Sequence, residues 1–294
     1  MFKSKNKLNI IVLILGIIAV SLVVSLFLFL LYQKITAPRG FLEVDFLDVG
    51  QGDAILIQAP EGQNILIDGG PNNTVIRRIG KELPWWDRTI DLMILTHPHE
   101  DHINGLNDVL ERYKVAQIIY TGVEYNYSGY DDWLDLISEK NISSIVVNES
   151  RTINLGQNCE LKIVYPEAGT DLRAEEDLNE TSIVSKLDCL GGKFLFTGDA
   201  GFKVEEELLN NGRDLSADVL KVGHHGSANS TGDDFLEAIN SEIAVIQVGA
   251  DNDFGHPKES LLHRLRRDNL KIYRTDLDGT IHFVVHEGES MQIY

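Results

Sequence analysis

The chain has 294 residues, 43% of them hydrophobic, and carries 45 acidic against 26 basic side chains for a formal net charge of −19. Length and apolar content suit one large domain or two modest ones with a sizeable core, and the charge excludes the basic footprint of a tight duplex-binding protein. Because Lys3, Lys5 and Lys7 precede the first acidic residue, Glu43, residues 8–294 hold 45 acidic and 23 basic side chains, a balance of −22 that disfavours a polyanionic substrate without excluding one.

Residues 1–7 form a short basic tail. Residues 8–32 are an almost unbroken apolar run, interrupted by Asn9, Gly16, Ser21 and Ser25. As a helix the run would extend roughly 37 Å, enough to cross a hydrocarbon core of about 30 Å. A secretory signal has a shorter apolar region and a small-residue cleavage site, so the run reads as an uncleaved transmembrane anchor. The three lysines before it, against Lys34 and Arg39 after it, place the tail in the cytoplasm. The expectation is a single-pass cell-membrane protein with an extracytoplasmic domain. Residues 33–40, with Pro38 and Gly40, read as a linker, and residues 41–294 as that domain.

Phe41–Leu47 is predicted as a strand running into Asp48-Val-Gly-Gln-Gly-Asp53, where two glycines mark a tight turn that lets backbone approach a ligand. Ala54–Gln58 and Asn64–Ile67 follow as strands, the second ending in Asp68-Gly-Gly70. Val75–Leu83 fits a short helix and Asp91–Leu95 a buried strand. Asn104–Tyr113 and Asp131–Lys140 read as helices alternating with strands Val115–Tyr120 and Ser143–Val147, the pattern of a sheet covered by helices. Ile153–Tyr165 and Thr181–Phe196 read as antiparallel β-structure, the latter turning at Gly191-Gly192, with the acidic loop Glu167–Glu180 between them. The alternation returns with helix Phe202–Asn210, strand Asp218–Val222, helix Asp233–Asn240, strand Ile243–Val248 and helix Lys258–Asp268. Strands Ile272–Thr275 and Thr280–His286 close the series. Two β-rich halves, each with outer helices, would pack as a four-layer αββα sandwich. Cys159 and Cys189 lack a Cys-x-x-Cys partner, which argues against a zinc ribbon; one disulfide and two buried thiols are both open readings.

The buried strand at 91–95 runs straight into Thr96-His-Pro-His-Glu-Asp-His102. His97, His99, Asp101 and His102 put four metal-type ligands within six positions. Zinc and similar ions take imidazole and carboxylate at about 2.0–2.2 Å, so ligands this dense need little chain to form a site. A solvated loop capped by Thr96 is the plain alternative, and the strand that delivers the motif weighs against it. Three later strand ends carry similar groups: Gly198-Asp199, Gly223-His-His-Gly-Ser227 and Gly255-His-Pro257. Any one could be an ordinary polar loop; three in succession point to a shared site. His263 falls in a predicted helix, and His282 and His286 in a strand, so these read as structural or surface residues. Aromatics at Trp85-Trp86 and at Tyr125, Tyr127, Tyr130 and Trp133 could stack on bases or cage a quaternary ammonium, but core and loop packing is the preferred account.

The stretch Thr96–Gly105 resembles the signature of the metallo-β-lactamase superfamily. More narrowly, Phe46–Asp53, Leu220–Ser227, Gly255–Pro257 and Thr275–Gly279 resemble the C-terminal domain of ComEC/Rec2 competence proteins and their stand-alone relatives. The resemblance implies an α/β, four-layer αββα metallo-β-lactamase sandwich, here preceded by one N-terminal transmembrane helix, and a two-metal hydrolase. It implies two divalent ions, zinc first and manganese second, held by His97, His99, Asp101, His102, Asp199, His225 and His256. Asp199 would bridge them and Asp68 would support the ligand loop. Asp48, Gln51, Asp53, Asn179 and Ser227 are read as lining or supporting the site. Asp101 would orient the attacking water and His224 protonate the leaving group.

Two features depart from that pattern. Many superfamily members place a histidine where this chain reads Asp177-Leu-Asn-Glu-Thr-Ser182, so the His97–His99 side would be completed from elsewhere, with His225 the first candidate. Which of His224 and His225 binds metal stays open. One helix also cannot form the membrane channel of the competence proteins, which implies a separate channel partner if uptake is the context. Phosphodiester cleavage ranks first, on nucleic acid (particularly single strands) or on an envelope phosphodiester. β-Lactam hydrolysis ranks second, and a non-catalytic partner in DNA uptake or envelope processing is the rival from another class.

Overall fold

The computed structural model describes residues 13–29, 38–156 and 158–294. The chain divides into two compact units, Met1–Arg39 and Gly40–Tyr294. In the first, residues 13–29 form a helix, α1, whose apolar side chains are exposed. The remainder of the predicted anchor at 8–32, the basic tail and residues 33–37 of the linker lie outside the described residues. Among the described residues no helix is long and apolar enough to cross a membrane.

The second unit stacks two sheets. One runs β15 (Gln292–Ile293), β14 (Ile281–His286), β1 (Phe41–Phe46), β2 (Ile55–Gln58), β3 (Asn64–Ile67), β4 (Thr89–Ile94), β5 (Lys114–Tyr120) and β6 (Ser143–Val146). The other runs β13 (Lys271–Arg274), β12 (Ile243–Ile246), β11 (Val219–Lys221), β10 (Gly192–Phe196), β9 (Val184–Cys189), β8 (Cys159–Tyr165) and β7 (Arg151–Asn154). The two-residue side-chain period assigns the faces. In β1, Leu42, Val44 and Phe46 enter the layer between the sheets, where they meet Ile94, Leu187, Phe194, Phe196 and Phe283. Leu56, Leu66 and Met93 point the other way, under α2 (Thr74–Glu82), α3 (Glu100–Arg112) and α4 (Ser128–Glu139). Leu195, Leu220, Ala244 and Ile246 likewise pack beneath α5 (Phe202–Asn210), α6 (Asp233–Ile239) and α7 (Glu259–Arg267). This is the expected αββα sandwich. Each fully buried Leu, Ile or Phe contributes about 1.5–3 kcal/mol to its stability.

Several boundaries differ from expectation for local reasons. The antiparallel β-structure expected at 153–165 is the hairpin β7–β8, in which Asn154 Oδ1 accepts from Gly156 N at 2.8 Å and closes a turn. Helix α3 begins at Glu100, four residues earlier than predicted, with Glu100 and Asp101 in the first turn, where carboxylates favour the helix dipole. Cys159 and Cys189 face each other across β8 and β9 and form a disulfide, S–S 2.07 Å, which resolves the cysteine question.

The start of α3 is fixed by glycine. Gly69 N donates to His102 O at 2.8 Å and Gly105 N to Gly70 O at 2.9 Å, so the turn after β3 is stitched to the first turns of α3. A Cβ on Gly105 would lie 1.9 Å from Gly69 O, and one on Gly69 would lie 2.5 Å from Leu106 N. Both obstacles are backbone and cannot rotate away. Gly105→Ala is therefore expected to destabilise the fold by roughly 1–3 kcal/mol, the usual range for overpacking, as a lowered urea midpoint.

Candidate metal centre

Parallel pairing of β3 with β4 and of β10, β11 and β12 with one another sends the loops after these strands to the same end of the sandwich. His97, Asp199, His225 and His256 lie on four of those loops, as their positions at strand ends predict. The last three line a cavity of about 310 Å³ together with Gln51, His99, Asp101, Asn179 and His224, with Tyr125 and Phe254 beside them, and His97 is fully buried outside that lining.

Asp68 organises one side. It holds a left-handed backbone, φ 57°, and is fully buried. Its carboxylate accepts from Thr96 N at 2.8 Å and Thr96 Oγ1 at 2.7 Å, and pairs with His102 Nδ1 at 2.8 Å. His102 Nε2 is thereby turned toward Asp199 Oδ2, 3.4 Å away. His97 is held from behind by Thr96 Oγ1 at 3.1 Å and Ser182 Oγ at 3.3 Å, and its Nε2 lies 3.1 Å from His99 Nδ1.

The other side comes from the tight turn after β11, in which His224 (φ 47°) and His225 (φ 51°) both adopt left-handed conformations. This unusual pair of backbones sends the two rings apart. His225 points inward, with Nδ1 3.0 Å from Gln247 O and Nε2 3.2 Å from both Asp101 Oδ2 and Asp199 Oδ2. His224 lines the cavity wall, its ring 5.6 Å from that of His256. His225 thus joins Asp101 and His102, which corrects the expectation that it would complete the His97–His99 side. Ser182, standing behind His97, occupies the stretch where a histidine was sought.

Asp53 and Lys221 lie behind these groups. Lys221 is fully buried, contacts Asp53 Oδ2, donates to Gly198 O at 2.7 Å and lies 3.7 Å from Asp199 Oδ1. Asp53 Oδ1 is also 3.2 Å from His225 Nδ1. A lysine ending the apolar strand Val219–Lys221 is the sequence signal for this group. Gln51 lines the cavity and accepts from Gly249 N through Oε1 at 3.1 Å. Asp48 and Ser227, also expected at the site, lie outside the lining. Asp48 pairs with Arg78, which also donates to the Asp48 carbonyl at 2.6 Å, and Ser227 accepts from Asn229 N at 3.3 Å within its own loop. Both are structural supports.

The charges are strongly unbalanced. Burial opposes protonation of His102 and His225, but Asp199 with Asp68 beside the first, and Asp199 with Asp53 beside the second, outweigh it and hold both imidazoles well above the usual range. Burial, reinforced by His102, drives His97 well below it. Burial also lowers His256 to about 4.

These residues fit divalent ions. His97, His102 and Asp199 present ligand atoms within 4.8 Å of one another, as do Asp101, His102 and His225. Buried His102 Nε2, His225 Nε2 and Asp199 Oδ1 have no hydrogen-bond partner. Ligands about 2.1 Å from a tetrahedral ion lie about 3.4 Å apart, close to the spacings found here. His256 contributes an imidazole to the cavity wall but belongs to neither of these close groups.

Comparison with known proteins agrees with this picture. A profile of the metallo-beta-lactamase superfamily matches residues 47–249. ComE operon protein 3 of Bacillus subtilis is 28% identical over 275 residues, covering 88% of this chain and 34% of that protein. Recombination protein 2 of Haemophilus influenzae is 30% identical over 259 residues, 87% of this chain and 30% of that protein. The chain therefore spans about a third of the length of these relatives. The metallo-beta-lactamase fold protein YhfI from Bacillus subtilis superposes with a TM-score of 0.53 at 10% identity, over 86% of this chain and all of that one.

Two outcomes are expected. Lys221→Met leaves buried Asp53 with His225 alone beside it, and should lower unfolding free energy by about 3–5 kcal/mol in urea titration. Glu205 fastens the loop after His225 by accepting from Gly232 N at 2.8 Å and from Thr231 N, and burial raises its carboxyl from 4.5 to about 7. Between those values the unfolded chain has released a proton that the folded chain keeps, so this group's contribution falls as pH rises, by about 3 kcal/mol. Glu205→Gln should be more stable than the parent near pH 8 and lose that advantage near pH 5, read from urea midpoints at each pH.

Proposed function

The chain belongs to the metallo-beta-lactamase superfamily, and on that premise we propose that this metal-dependent hydrolase cleaves phosphodiester bonds. The observation that supports it best is the convergence of buried, partnerless histidine and aspartate atoms on one small cavity. His97, His99 and Asp199 would hold one divalent ion; Asp101, His102 and His225, sharing Asp199, would hold the other. Zinc is the first choice and manganese the second. When bound, such ions supply Lewis-acid polarisation and a water acidic enough to ionise near neutral pH.

The protein's own groups do the rest. Asp68 and the Gln247 carbonyl occupy the Nδ1 atoms of His102 and His225, which leaves each Nε2 for the cavity. Asp101 faces the cavity and orients the attacking water. His224 and His256 stand on the wall where a phosphoryl group would sit. Burial lowers the His224 imidazole, and an anionic substrate beside it would raise its proton affinity and fit it to protonate the leaving oxygen.

For the substrate, one relative, Recombination protein 2 of Haemophilus influenzae, is named for a process on nucleic acid, which favours nucleic acid here. The −22 balance of residues 8–294 favours a single strand or a small phosphodiester over a duplex. Tyr125 and Phe254 beside the cavity offer aromatic faces for an unstacked base. We further propose that residues 8–32 anchor the protein in the cell membrane with the hydrolase domain outside, where it would work beside a separate channel protein.

The test is phosphodiesterase activity of the purified full chain on bis-p-nitrophenyl phosphate, single- and double-stranded DNA, RNA and a β-lactam. Chelation should abolish turnover and zinc or manganese restore it. His99→Ala combined with Asp199→Ala should fall to background. Full activity in that variant would sink the proposed site, and turnover of the lactam alone would sink the proposed substrate.

A further inference from the structure

Two of the chain's three tryptophans are out in solvent. Trp133 is fully buried, whereas Trp85 is 79% and Trp86 51% exposed, with their rings 5.5 Å apart. Neither belongs to the cavity or to any core cluster of the domain. They are not on a loose loop. Asp87 N donates to Pro84 O at 2.8 Å and closes a tight turn with the two tryptophans at its tip. The Asp87 carboxylate then accepts from Asn64 Nδ2 at 2.9 Å and from Thr89 N at 3.1 Å, which fastens the turn to the ends of β3 and β4. An anchored turn thus presents two large amphipathic rings to the outside.

The position of the turn indicates what it meets. β1 and β4 run in the same direction, because two antiparallel pairings and one parallel pairing separate them. The start of β1 and the start of β4 therefore lie at the same end of the sheet, three strand spacings or about 14 Å apart. Gly40, the first residue of the domain, enters there, with its N–H on Pro60 O at 3.0 Å. Residues 33–40 can reach at most about 28 Å from the apolar run at 8–32. The chain therefore enters the domain at the same end of the sheet as the turn. The site opens at the opposite end of β4, a six-residue strand of about 20 Å.

We propose that the Trp85–Trp86 turn docks into the lipid headgroup region and holds the domain upright, with its cavity facing away from the membrane. Tryptophan concentrates at that interface because its ring is apolar and its N–H needs a polar partner. Exposed Lys81 and Arg88 flank the turn in sequence, and Lys114 N donates to Arg88 O at 2.8 Å, which adds a third exposed cation at this end of the sheet. Since the domain as a whole is strongly acidic, the contact depends on the rings rather than on long-range attraction to anionic lipid. The inference rests on the anchor proposed above.

Full-length protein in phosphatidylcholine vesicles, with and without brominated lipid, tests it. Residues 1–40 contain no tryptophan, so all emission comes from Trp85, Trp86 and Trp133. Brominated lipid should remove as much as about two-thirds of the emission of the parent. It should leave Trp85→Ser/Trp86→Ser, which reports Trp133 alone, unquenched. Flotation with the vesicles is scored on the same samples. Flotation without quenching overturns the docking while the anchor stands, and failure to float overturns both. Quenching that persists in the double variant, or a shift in emission that follows protein concentration instead of lipid, overturns docking as well, the latter in favour of a contact between two copies.

Discussion

One ammonium group among carboxylates ties this structure together. Lys221 ends a strand of the second sheet, is fully buried, and meets Asp53, which precedes a strand of the first. Removing each ion from water costs several kcal/mol, so neither can be buried here unless the other arrives. The pair therefore couples the two sheets at the end where the cavity opens. Gln247 adds a neutral version of the same link. Lying just past β12, it donates through Nε2 to Leu47 O at 3.1 Å and Ala54 O at 2.9 Å on the first sheet. Asp199 and His225 each lie within 4 Å of the Lys221–Asp53 pair, so their placement depends on it.

Around that link the inner imidazoles are tethered in a common manner. His97 is held at Nδ1 by Thr96 and Ser182, His102 by Asp68, and His225 by a backbone carbonyl. Each Nε2 is left facing the site. Tautomer and ring orientation are thus set by residues that never touch the cavity, and the cost of orienting the ligands is met by folding before anything binds.

Much of this was legible in the chain. Histidines and aspartates at the ends of apolar runs conflict with their surroundings, and for that reason His97, His99, Asp101, His102, Asp199 and His256 could be singled out. The sandwich followed from the alternation of periods. What escaped depends on three-dimensional closure. Ser182 and Gln247 look like ordinary polar residues at the ends of expected strands until the sheets stack. The side to which His225 belongs is decided by two consecutive left-handed residues that no spacing rule anticipates. Asp48 and Ser227 sit in site-like motifs yet stand apart from the cavity, Asp48 bound to Arg78 and Thr280 and Ser227 to its own loop. Trp85 and Trp86 read as packing aromatics, and only their exposure separates them from Trp133, which is one.

The pairing of β1 with β14 has a consequence for how the protein is made. Phe41 lies opposite His286 and Phe46 opposite Ile281, so the first strand of the domain waits for almost the last. Asp48, which opens the loop to Asp53, also donates its backbone N–H to Thr280 Oγ1 at 3.1 Å. Contacts this distant in sequence form late and slowly. A partly synthesised chain could display its metal-binding motif but not the walls that organise it. Hydrolytic competence is thereby tied to completion of the chain, a timing built into the order of the strands.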